Sequence, residues 1–307
     1  MTTWFEGFRD ERIDIPTDAG TIAVWVAGDG PPVLLLHGYP QTRAMWHKVA
    51  PRLAASGHTV VAPDLRGYGQ SGSPEPSADG GTHAKREMAR DQVALMRVLG
   101  FERFDVVGHD RGGRVAHRLA VDWPGAVARV AVLDILPTRT LLRETDLAFA
   151  TAYWHWFFLL QSGGLPERMI GADPEWFVRE ILQRWAAEPE RIDPVAAAEY
   201  VRWFTPGAIA ASCADYRAAA GPDLADDDAD HAAGRRVTQP LLALWGSRGA
   251  MGRMYDVLAS WEAVAIDTRG SAVDSGHFLA EEAPGETLAA LEAFLEHTAP
   301  GRASVRE

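Results

Sequence analysis

The stretch Gly108-His109-Asp110-Arg111-Gly112 decides the fold of this chain, because two different hydrophobic patterns meet there. The largely apolar run before it, residues 104–107, is typical of a short buried strand, and the pattern after it, residues 112–122, is helical. A strand followed by a glycine-flanked segment and then a helix predicts a sharp turn, which exposes the side chain at the centre of the turn. Here that side chain is Asp110, a carboxylate that is anionic at pH 7 and can attack carbon without first losing a proton.

Strand and helix patterns alternate on both sides of this turn. Two opening strands are expected around residues 13–15 and 22–26, and later apolar runs are typical of strands buried on both faces. The further strands are predicted at 33–36, 60–62, 104–107, 130–133, 241–245 and 263–267, with helices at 84–99, 112–122 and 284–297. The alternation predicts an α/β protein with a mostly parallel sheet and right-handed crossovers.

The strand pattern stops after residue 137. Residues 138–236 contain no convincing strand, several helical stretches and five of the eleven tryptophans. We therefore predict a helical cap at 138–236, inserted after the sixth strand of a core domain that comprises residues 1–137 and 237–307. The tail, residues 300–307, is expected to be frayed.

Composition and charge exclude several classes of function. The 307 residues are 47% hydrophobic and 23% charged, as in soluble globular proteins. A net charge of −12 argues against a surface that binds nucleic acid or an anionic membrane. The longest apolar run, residues 156–160, is too short to span a bilayer, and no secretory signal is visible. A cytoplasmic location is therefore expected.

Neither a metal nor a cofactor is expected. The single cysteine, Cys213, leaves no pair with metal-site spacing and is interpreted as a small buried hydrophobic residue. The acidic run at residues 223–230 matches no cation-binding loop, so we interpret it as a solvated helix end.

A nucleophile on such a turn needs a base and a carboxylate that orients the base. With this strand–turn–helix arrangement, the order along the sequence is nucleophile, acid and then histidine. His277 follows the last predicted strand, in Ser275-Gly276-His277-Phe278, and is the expected base. Asp134 directly follows the strand at 130–133, whose carboxyl end points towards the site, and is the preferred acid. Asp274 is the alternative, because the turn after the next strand has no carboxylate.

The residues around Asp110 indicate the substrate. Arg111 and Arg114 lie within one helical turn of it, and guanidinium groups bind carboxylates through paired hydrogen bonds. Two negative charges about 4 Å apart repel by roughly 4 kcal/mol at an effective dielectric of about 20, so an anionic substrate requires such neutralisation. A backbone N–H at Gly38 or Tyr39 is expected to form an oxyanion hole with that of Arg111. These features predict attack on a small carboxylic acid.

Four segments together resemble the epoxide hydrolase and dehalogenase branch of the α/β-hydrolase superfamily. They are the turn at Asp110 and residues 37–41, 64–69 and 275–282. Within this branch, residues 108–114 and Tyr153-Trp154-His155-Trp156-Phe157-Phe158 resemble the fluoroacetate dehalogenases, and the likeness extends over nearly the whole chain. The resemblance implies an α/β-hydrolase fold, with the sheet flanked by helices and the cap inserted into it.

The resemblance also implies roles for individual residues. These are nucleophilic attack by Asp110, carboxylate binding by Arg111 and Arg114, and halide binding by His155, Trp156 and Tyr216. Tyr216 is the least constrained of them, and Tyr153 and Tyr200 are the alternatives. A small haloacid and its halide are the expected ligands, and the likeness also implies a homodimer.

Other functions share part of this pattern. An epoxide hydrolase would have the same aspartate and histidine, but its cap supplies tyrosines and it has no need of Arg111 and Arg114. A haloalkane dehalogenase is expected to have tryptophan where Arg111 stands, and a serine esterase is excluded by Asp110. A binding protein on this fold has no use for a complete set of nucleophile, base and acid. We therefore expect hydrolysis of haloacetates to glycolate and halide through an ester on Asp110, with the preferred halide left open.

Overall fold

The computed structural model describes residues 5–296, and eight strands within that range form one sheet. The strands are β1 (Arg9–Asp14), β2 (Thr21–Ala27), β3 (Pro32–Leu36), β4 (Thr59–Pro63), β5 (Phe104–His109), β6 (Val127–Leu133), β7 (Val237–Gly246) and β8 (Ala265–Val273). Their order across the sheet is β1-β2-β4-β3-β5-β6-β7-β8. β2 pairs antiparallel with β1 and β4, and the pairings from β4 to β8 are parallel. The predicted mostly parallel sheet is confirmed.

Fifteen α-helices accompany these strands within residues 5–296. They are α1 (Ala50–Ala55), α2 (Lys85–Val98), α3 (Arg111–Asp122), α4 (Thr138–Arg143), α5 (Leu147–Ala152), α6 (Trp154–Leu159), α7 (Leu165–Gly171), α8 (Pro174–Trp185), α9 (Pro194–Trp203), α10 (Pro206–Ala220), α11 (Pro222–Ala232), α12 (Ala250–Met254), α13 (Val257–Glu262), α14 (Leu279–Glu282) and α15 (Pro284–Leu295). Short 3-10 helices lie at Arg43–Lys48, Gly81–His83 and Pro189–Arg191.

The strands at the centre of the sheet are buried because helices cover both faces. Every residue of β4 and β5 is buried, which explains why their sequences are largely apolar rather than alternating. The predicted bounds of the last strand, residues 263–267, were wrong, since β8 continues to Val273. This strand pairs with β7 at the sheet edge, and exposed residues such as Asp267 and Arg269 interrupt its apolar pattern.

Residues 138–236 lie between β6 and β7 and contain α4–α11, with no strand before the sheet resumes at residue 237. The alanine-rich α10 packs against α6, α7 and α11, and also against α2 and the 3-10 helix Gly81–His83. We keep the interpretation that residues 138–236 form a cap on a core of residues 1–137 and 237–307. The frayed tail expected at 300–307 lies outside the described residues, and so does the end of the helix predicted at 284–297.

The acidic run of α11 is not the solvated helix end that its sequence predicted. Its carboxylates form ion pairs with arginines of α2, α3 and α4. These pairs are Arg86–Asp226 at 2.7 Å, Arg118–Asp227 at 2.6 Å, Arg118–Asp230 at 2.7 Å and Arg139–Asp228 at 2.9 Å. Through Arg86 and Arg118 the run therefore joins α11 to α2 and α3, a long-range role that local spacing does not reveal.

Two expectations from composition can be compared with the structure. Cys213 is buried in α10, as predicted for a small hydrophobic residue, and burial raises the pKa of its thiol to about 12. No helix within residues 5–296 combines the length and the hydropathy that crossing a membrane requires.

The turn between β5 and α3 brings separate chain segments into backbone contact. A Cβ atom at Gly112 would lie 2.5 Å from the carbonyl oxygens of both Leu36 and His37. The N–H of Gly112 donates to the His37 carbonyl at 2.9 Å. Glycine is required here because any side chain would push α3 away from the end of β3.

Replacing Gly112 with alanine is expected to lower the free energy of unfolding by about 1–3 kcal/mol, because the backbone must shift to admit the methyl group. Gly125 is the matched control, since it is exposed and no atom lies within 4 Å of a Cβ there. Its change to alanine should alter stability by less than about 0.5 kcal/mol. Urea denaturation measures both values, and equal stability of the two variants would contradict the close approach.

Candidate active site

Two carboxylates follow neighbouring strands in a backbone conformation that residues other than glycine rarely adopt. Asp110, at the tip of the turn after β5, has φ 44° and ψ −113°, and Asp134, directly after β6, has φ 50°. Such conformations cost on the order of 1–3 kcal/mol each and cluster at functional sites. The sheet thus places both side chains at the carboxyl ends of adjacent parallel strands.

Asp110 is buried and negatively charged. Its Oδ2 accepts a hydrogen bond from the Tyr39 N–H at 3.0 Å, while Oδ1 accepts none from the described residues. Burial alone would raise the pKa of Asp110, but His277 and the guanidinium groups of Arg111 and Arg114 outweigh it and lower the pKa. One oxygen is therefore held and the other is available for attack.

The backbone donors beside Asp110 are those of Tyr39 and Arg111. The Tyr39 N–H reaches Oδ2, and Arg111 is the first residue of α3, where helix N–H groups lack intrahelical partners. Gly38 instead accepts hydrogen bonds through its carbonyl, from His37 Nδ1 at 2.9 Å and from the Gln41 N–H at 3.0 Å. In this structure Tyr39 thus donates to Asp110, whereas Gly38 acts as an acceptor. Gly38 supplies space, because a Cβ there would lie 2.7 Å from the Asp110 Cβ.

His277 and Asp134 form a hydrogen-bonded pair. Nδ1 of His277 lies 2.6 Å from Oδ2 of Asp134, whose Oδ1 accepts from the Gly246 N–H at 3.0 Å. Burial alone would lower the pKa of His277, but the hydrogen bond and charge of Asp134 raise it. Nε2 of His277 is buried and has no partner among the described residues. The alternative acid, Asp274, is exposed and pairs with Arg248 at 2.9 Å instead.

Arg111 is held by the cap. Its Nε lies 3.1 Å from Oδ2 of Asp215, a residue of α10, and its Nη2 donates to the Asp215 carbonyl at 2.9 Å and to Oδ1. Asp215 also pairs with Lys85 and accepts from the Tyr68 hydroxyl at 2.8 Å. Burial alone would raise the pKa of Asp215, but Arg111 and Lys85 lower it. Nη1 of Arg111 is buried without a partner among the described residues.

The positive charge of Arg114 is less well compensated than that of Arg111, which is paired with the Asp215 carboxylate. Its Nη1 donates to the Leu136 carbonyl and to Thr138 Oγ1, each at 3.0 Å, and its Nε is buried without a described partner. Burial and the charge of Arg111 lower the pKa of Arg114 to about 10, so it remains cationic at neutral pH. Its Cζ lies 4.6 Å from the ring centroid of Trp156, which favours the cation.

Three aromatic side chains of the cap meet around these cations. The Tyr216 ring lies 5.7 Å from His155 and 5.6 Å from Trp156, near perpendicular to both, and 4.2 Å from Cζ of Arg111. Nδ1 of His155, Nε1 of Trp156 and the Tyr216 hydroxyl are buried without partners among residues 5–296. Burial lowers the pKa of His155 well below its ordinary value, so the ring is neutral.

The two alternative tyrosines lie in different surroundings. The Tyr200 hydroxyl donates to Oε1 of Glu281 at 2.9 Å, so this hydroxyl already has a hydrogen-bond partner. Tyr153 lines the same cavity as Asp110 and His155. Of the three candidates, Tyr216 is the one whose buried hydroxyl has no partner in the described part of the chain.

A cavity of about 520 Å³ lies beside Asp110, His155 and His277. Asp110, Asp134 and His277 line it from the core, and cap residues including Tyr153, His155 and Trp185 line it from the other side. Its lining also contains three arginines, namely Arg184, Arg248 and Arg253. Arg184 lies 2.6 Å from Glu180 and Arg248 lies 2.6 Å from Glu188, so carboxylates offset part of this positive charge.

The sequence interpretation missed Asp215, Lys85 and Trp185. Asp215 directly follows a stretch of small or apolar residues, 208–214, and Lys85 is one of two lysines in the chain. Those features mark them as unusual but do not say that they meet 130 residues apart. Trp185 lies 4.2 Å from His155 and 5.3 Å from His277 between ring centroids, and no local pattern distinguishes it from the other cap tryptophans.

Comparison with known proteins agrees with this geometry. A family model described as alpha/beta hydrolase fold matches residues 31–284. A curated fluoroacetate dehalogenase from Burkholderia sp is 44% identical, with 97% of this chain and 97% of the relative covered. A soluble epoxide hydrolase from Corynebacterium sp is 37% identical, with 84% and 87% covered. A solved protein from a Nostoc species, described as an α/β hydrolase, has a TM-score of 0.93 and 51% identity, covering 96% of this chain and 100% of that one.

Replacing Asp215 with alanine is expected to lower the free energy of unfolding by about 3–5 kcal/mol, because two buried cations, Arg111 and Lys85, lose their shared partner. Glu175 is the control, since it pairs with Arg179 at 2.8 Å on the exposed surface. Its change to alanine should cost less than about 1 kcal/mol. Chemical denaturation at neutral pH compares the two, and a similar small loss for both would contradict the role given to Asp215.

Proposed function

This chain belongs to the fluoroacetate dehalogenase family of the α/β hydrolases, and we propose that it hydrolyses haloacetates to glycolate and halide. The observation that carries the proposal is a set of buried polar atoms around Asp110 that have no partner among the described residues. They are Nη1 of Arg111, Nε of Arg114, Nδ1 of His155, Nε1 of Trp156, the Tyr216 hydroxyl and Nε2 of His277. Buried polar atoms are normally hydrogen-bonded, so such a set implies a polar ligand.

The set divides into groups that suit the two ends of a haloacetate. The guanidinium groups of Arg111 and Arg114 suit its carboxylate, and their charge offsets the repulsion between that carboxylate and Asp110. The ring N–H and hydroxyl groups of Trp156 and Tyr216, with His155, suit a departing halide. Fluoride concentrates its charge, so donors aimed at it favour the transition state over the ground state.

In the proposed first step, Oδ1 of Asp110 attacks the α-carbon of the haloacetate. A carbon–oxygen bond forms as the carbon–halogen bond breaks, and the halide leaves with the bonding electron pair. The product is an ester between Asp110 and glycolate. Oδ2, held by the Tyr39 N–H, becomes the ester carbonyl oxygen.

In the second step, water attacks the carbonyl carbon of the Asp110 ester. Nε2 of His277 takes a proton from the water, and Asp134 orients the ring and favours its protonated form. Negative charge then develops on Oδ2, which accepts from the Tyr39 N–H, and the Arg111 N–H is the proposed second donor. The intermediate expels glycolate, which takes the proton from His277, and Asp110 returns to its carboxylate with net release of one proton.

Epoxide hydrolysis is the second candidate. The Corynebacterium relative is described as a soluble epoxide hydrolase, and the hydroxyl groups of Tyr153 and Tyr216 belong to the cap side of the site. An uncharged epoxide, however, gives Arg111 and Arg114 no anionic partner. We place this activity second for that reason.

The reaction as proposed uses neither a metal nor a cofactor, since Asp110 and His277 supply the nucleophile and the base. Family resemblance further predicts a homodimer, and the single cysteine fits a reducing cytoplasm. The substrate is small, and neither nucleic acid nor a membrane surface is needed.

Replacing His277 with asparagine is expected to trap the ester, because displacement of halide needs no base whereas hydrolysis does. Incubation with fluoro-, chloro- or bromoacetate should release about one halide per protein, and the mass of the peptide that contains Asp110 should increase by one carboxymethyl group. Wild type should release halide continuously from these acids but should not hydrolyse a neutral epoxide or a haloalkane.

Asp274→Asn is the matched control, since Asp274 lies close to His277 in sequence but pairs with Arg248. It should turn over like wild type and accumulate no ester. Continuous halide release by His277→Asn without a change in mass would refute the covalent mechanism. Faster turnover of the epoxide than of every haloacetate would favour the second candidate.

The pH dependence should differ between the two steps. Ester hydrolysis requires neutral His277, whose pKa is raised above 6.5, so its rate should fall as pH decreases through that raised pKa. Ester formation requires ionised Asp110, whose pKa is lowered below 3.8, so its rate should not fall in the same range. Single-turnover kinetics from about pH 5 to about pH 9 resolve the two steps. An identical acid limb for both would contradict these roles.

A further inference from the structure

Glu282, the last residue of α14, is a buried carboxylate that binds main-chain N–H groups. It is 2% exposed. Oε2 accepts from the N–H groups of Ala187, Glu188 and Gly276 at 2.7, 3.1 and 3.1 Å, and Oε1 accepts from that of Phe278 at 3.0 Å. An ionised carboxylate accepts at both oxygens and donates nowhere, so it suits four converging donors.

The four donors belong to two segments that meet at the active site. Gly276 and Phe278 flank His277 in sequence, whereas Ala187 and Glu188 belong to the turn that follows α8 in the cap. We name residues 185–188 the cap turn. One side chain thus binds both the loop that carries the proposed base and the cap turn.

The backbones of these two segments are in direct contact. The N–H of His277 donates to the Trp185 carbonyl at 2.9 Å. A Cβ at Gly276 would lie 2.3 Å from the Ala187 nitrogen and 2.6 Å from the Trp185 carbonyl oxygen, so a side chain there would separate the loop from the cap turn. The Trp185 ring lies 5.3 Å from the His277 ring at 86°, on the wall of the cavity.

We propose that Glu282 is a positioning residue that fixes His277 against the cap turn by binding the N–H groups on either side of it. Glu282 does not line the cavity, and it acts through His277. This inference rests on the proposed function, in which His277 serves ester hydrolysis and not halide displacement. Loss of Glu282 should therefore slow the second step selectively.

The test compares Glu282→Gln with Glu281→Gln. Glutamine at 282 is nearly the same size, but its NH₂ group cannot accept, so one side of the four-donor cluster loses its acceptor. Glu281 is the matched control, because it is adjacent and equally buried but binds the side chains of Tyr200 and Gln41 rather than the His277 loop.

Rapid-quench kinetics with mass detection of the Asp110 ester separates the two steps. For Glu282→Gln we expect halide displacement at the wild-type rate per folded site and ester hydrolysis slower by about tenfold or more, so that ester accumulates. Glu281→Gln should hydrolyse its ester within about twofold of wild type. A merely structural role would reduce the number of active sites and leave the ratio of the two rates unchanged.

A second measurement needs no substrate. The proton of the His277–Asp134 hydrogen bond is observable by proton NMR at low field, and it should shift or broaden in folded Glu282→Gln but not in Glu281→Gln. Glu282→Asp is the substitute test variant if Glu282→Gln does not fold. It keeps the charge but shortens the reach, so a smaller selective loss of ester hydrolysis is expected.

Unchanged ester hydrolysis and an unchanged low-field proton in a folded variant at position 282 would overturn the inference, and so would equal slowing of both steps. Absence of halide release by wild type from every haloacetate would instead refute the proposed function. In that case the NMR comparison alone decides whether Glu282 positions His277.

Discussion

The ion pair between Arg111 and Asp215 joins the turn that carries Asp110 to the cap that covers it. A buried guanidinium is costly unless it is paired, yet one that is fully paired has nothing left to offer a ligand. The structure meets both requirements, because Asp215 takes two nitrogens of Arg111 and leaves Nη1 without a described partner. Lys85 shares Asp215 and also lies 3.6 Å from Asp223, so both buried cations have a carboxylate beside them. The same helical turn presents Tyr216, so the counter-charge and a proposed halide donor are placed together.

The charge distribution of the protein depends on which carboxylates form ion pairs with arginines. The chain has a net charge of −12, which would repel a small anion. Part of the acidic excess lies on α11, where arginines of the core hold it in ion pairs away from the cavity. Arg111 and Arg114 are buried beside Asp110, and Arg184, Arg248 and Arg253 line the cavity. The net charge of a protein therefore says little about the potential inside one of its sites.

The sheet and the turn could be predicted from sequence because their signals are local. A buried strand, two glycines and a helix specify the position of Asp110, and chain order then points to Asp134 and His277. Asp134 could be preferred over Asp274 only because it follows a strand, and its carboxylate lies 2.6 Å from the His277 ring. Local patterns could not reveal contacts between distant segments, such as Asp215 with Lys85 or the arginines with α11. The bounds of β8 were missed because an edge strand exposes residues that a central strand would bury.

The backbone conformations of Asp110 and Asp134 have a consequence for the balance between stability and activity. Both residues have positive φ, where a side chain is strained and glycine is not. Glycine at either position would relieve that strain, but it would remove a carboxylate on which the proposed reaction depends. The proposed activity and the conformational preference of the backbone therefore oppose each other at Asp110 and Asp134.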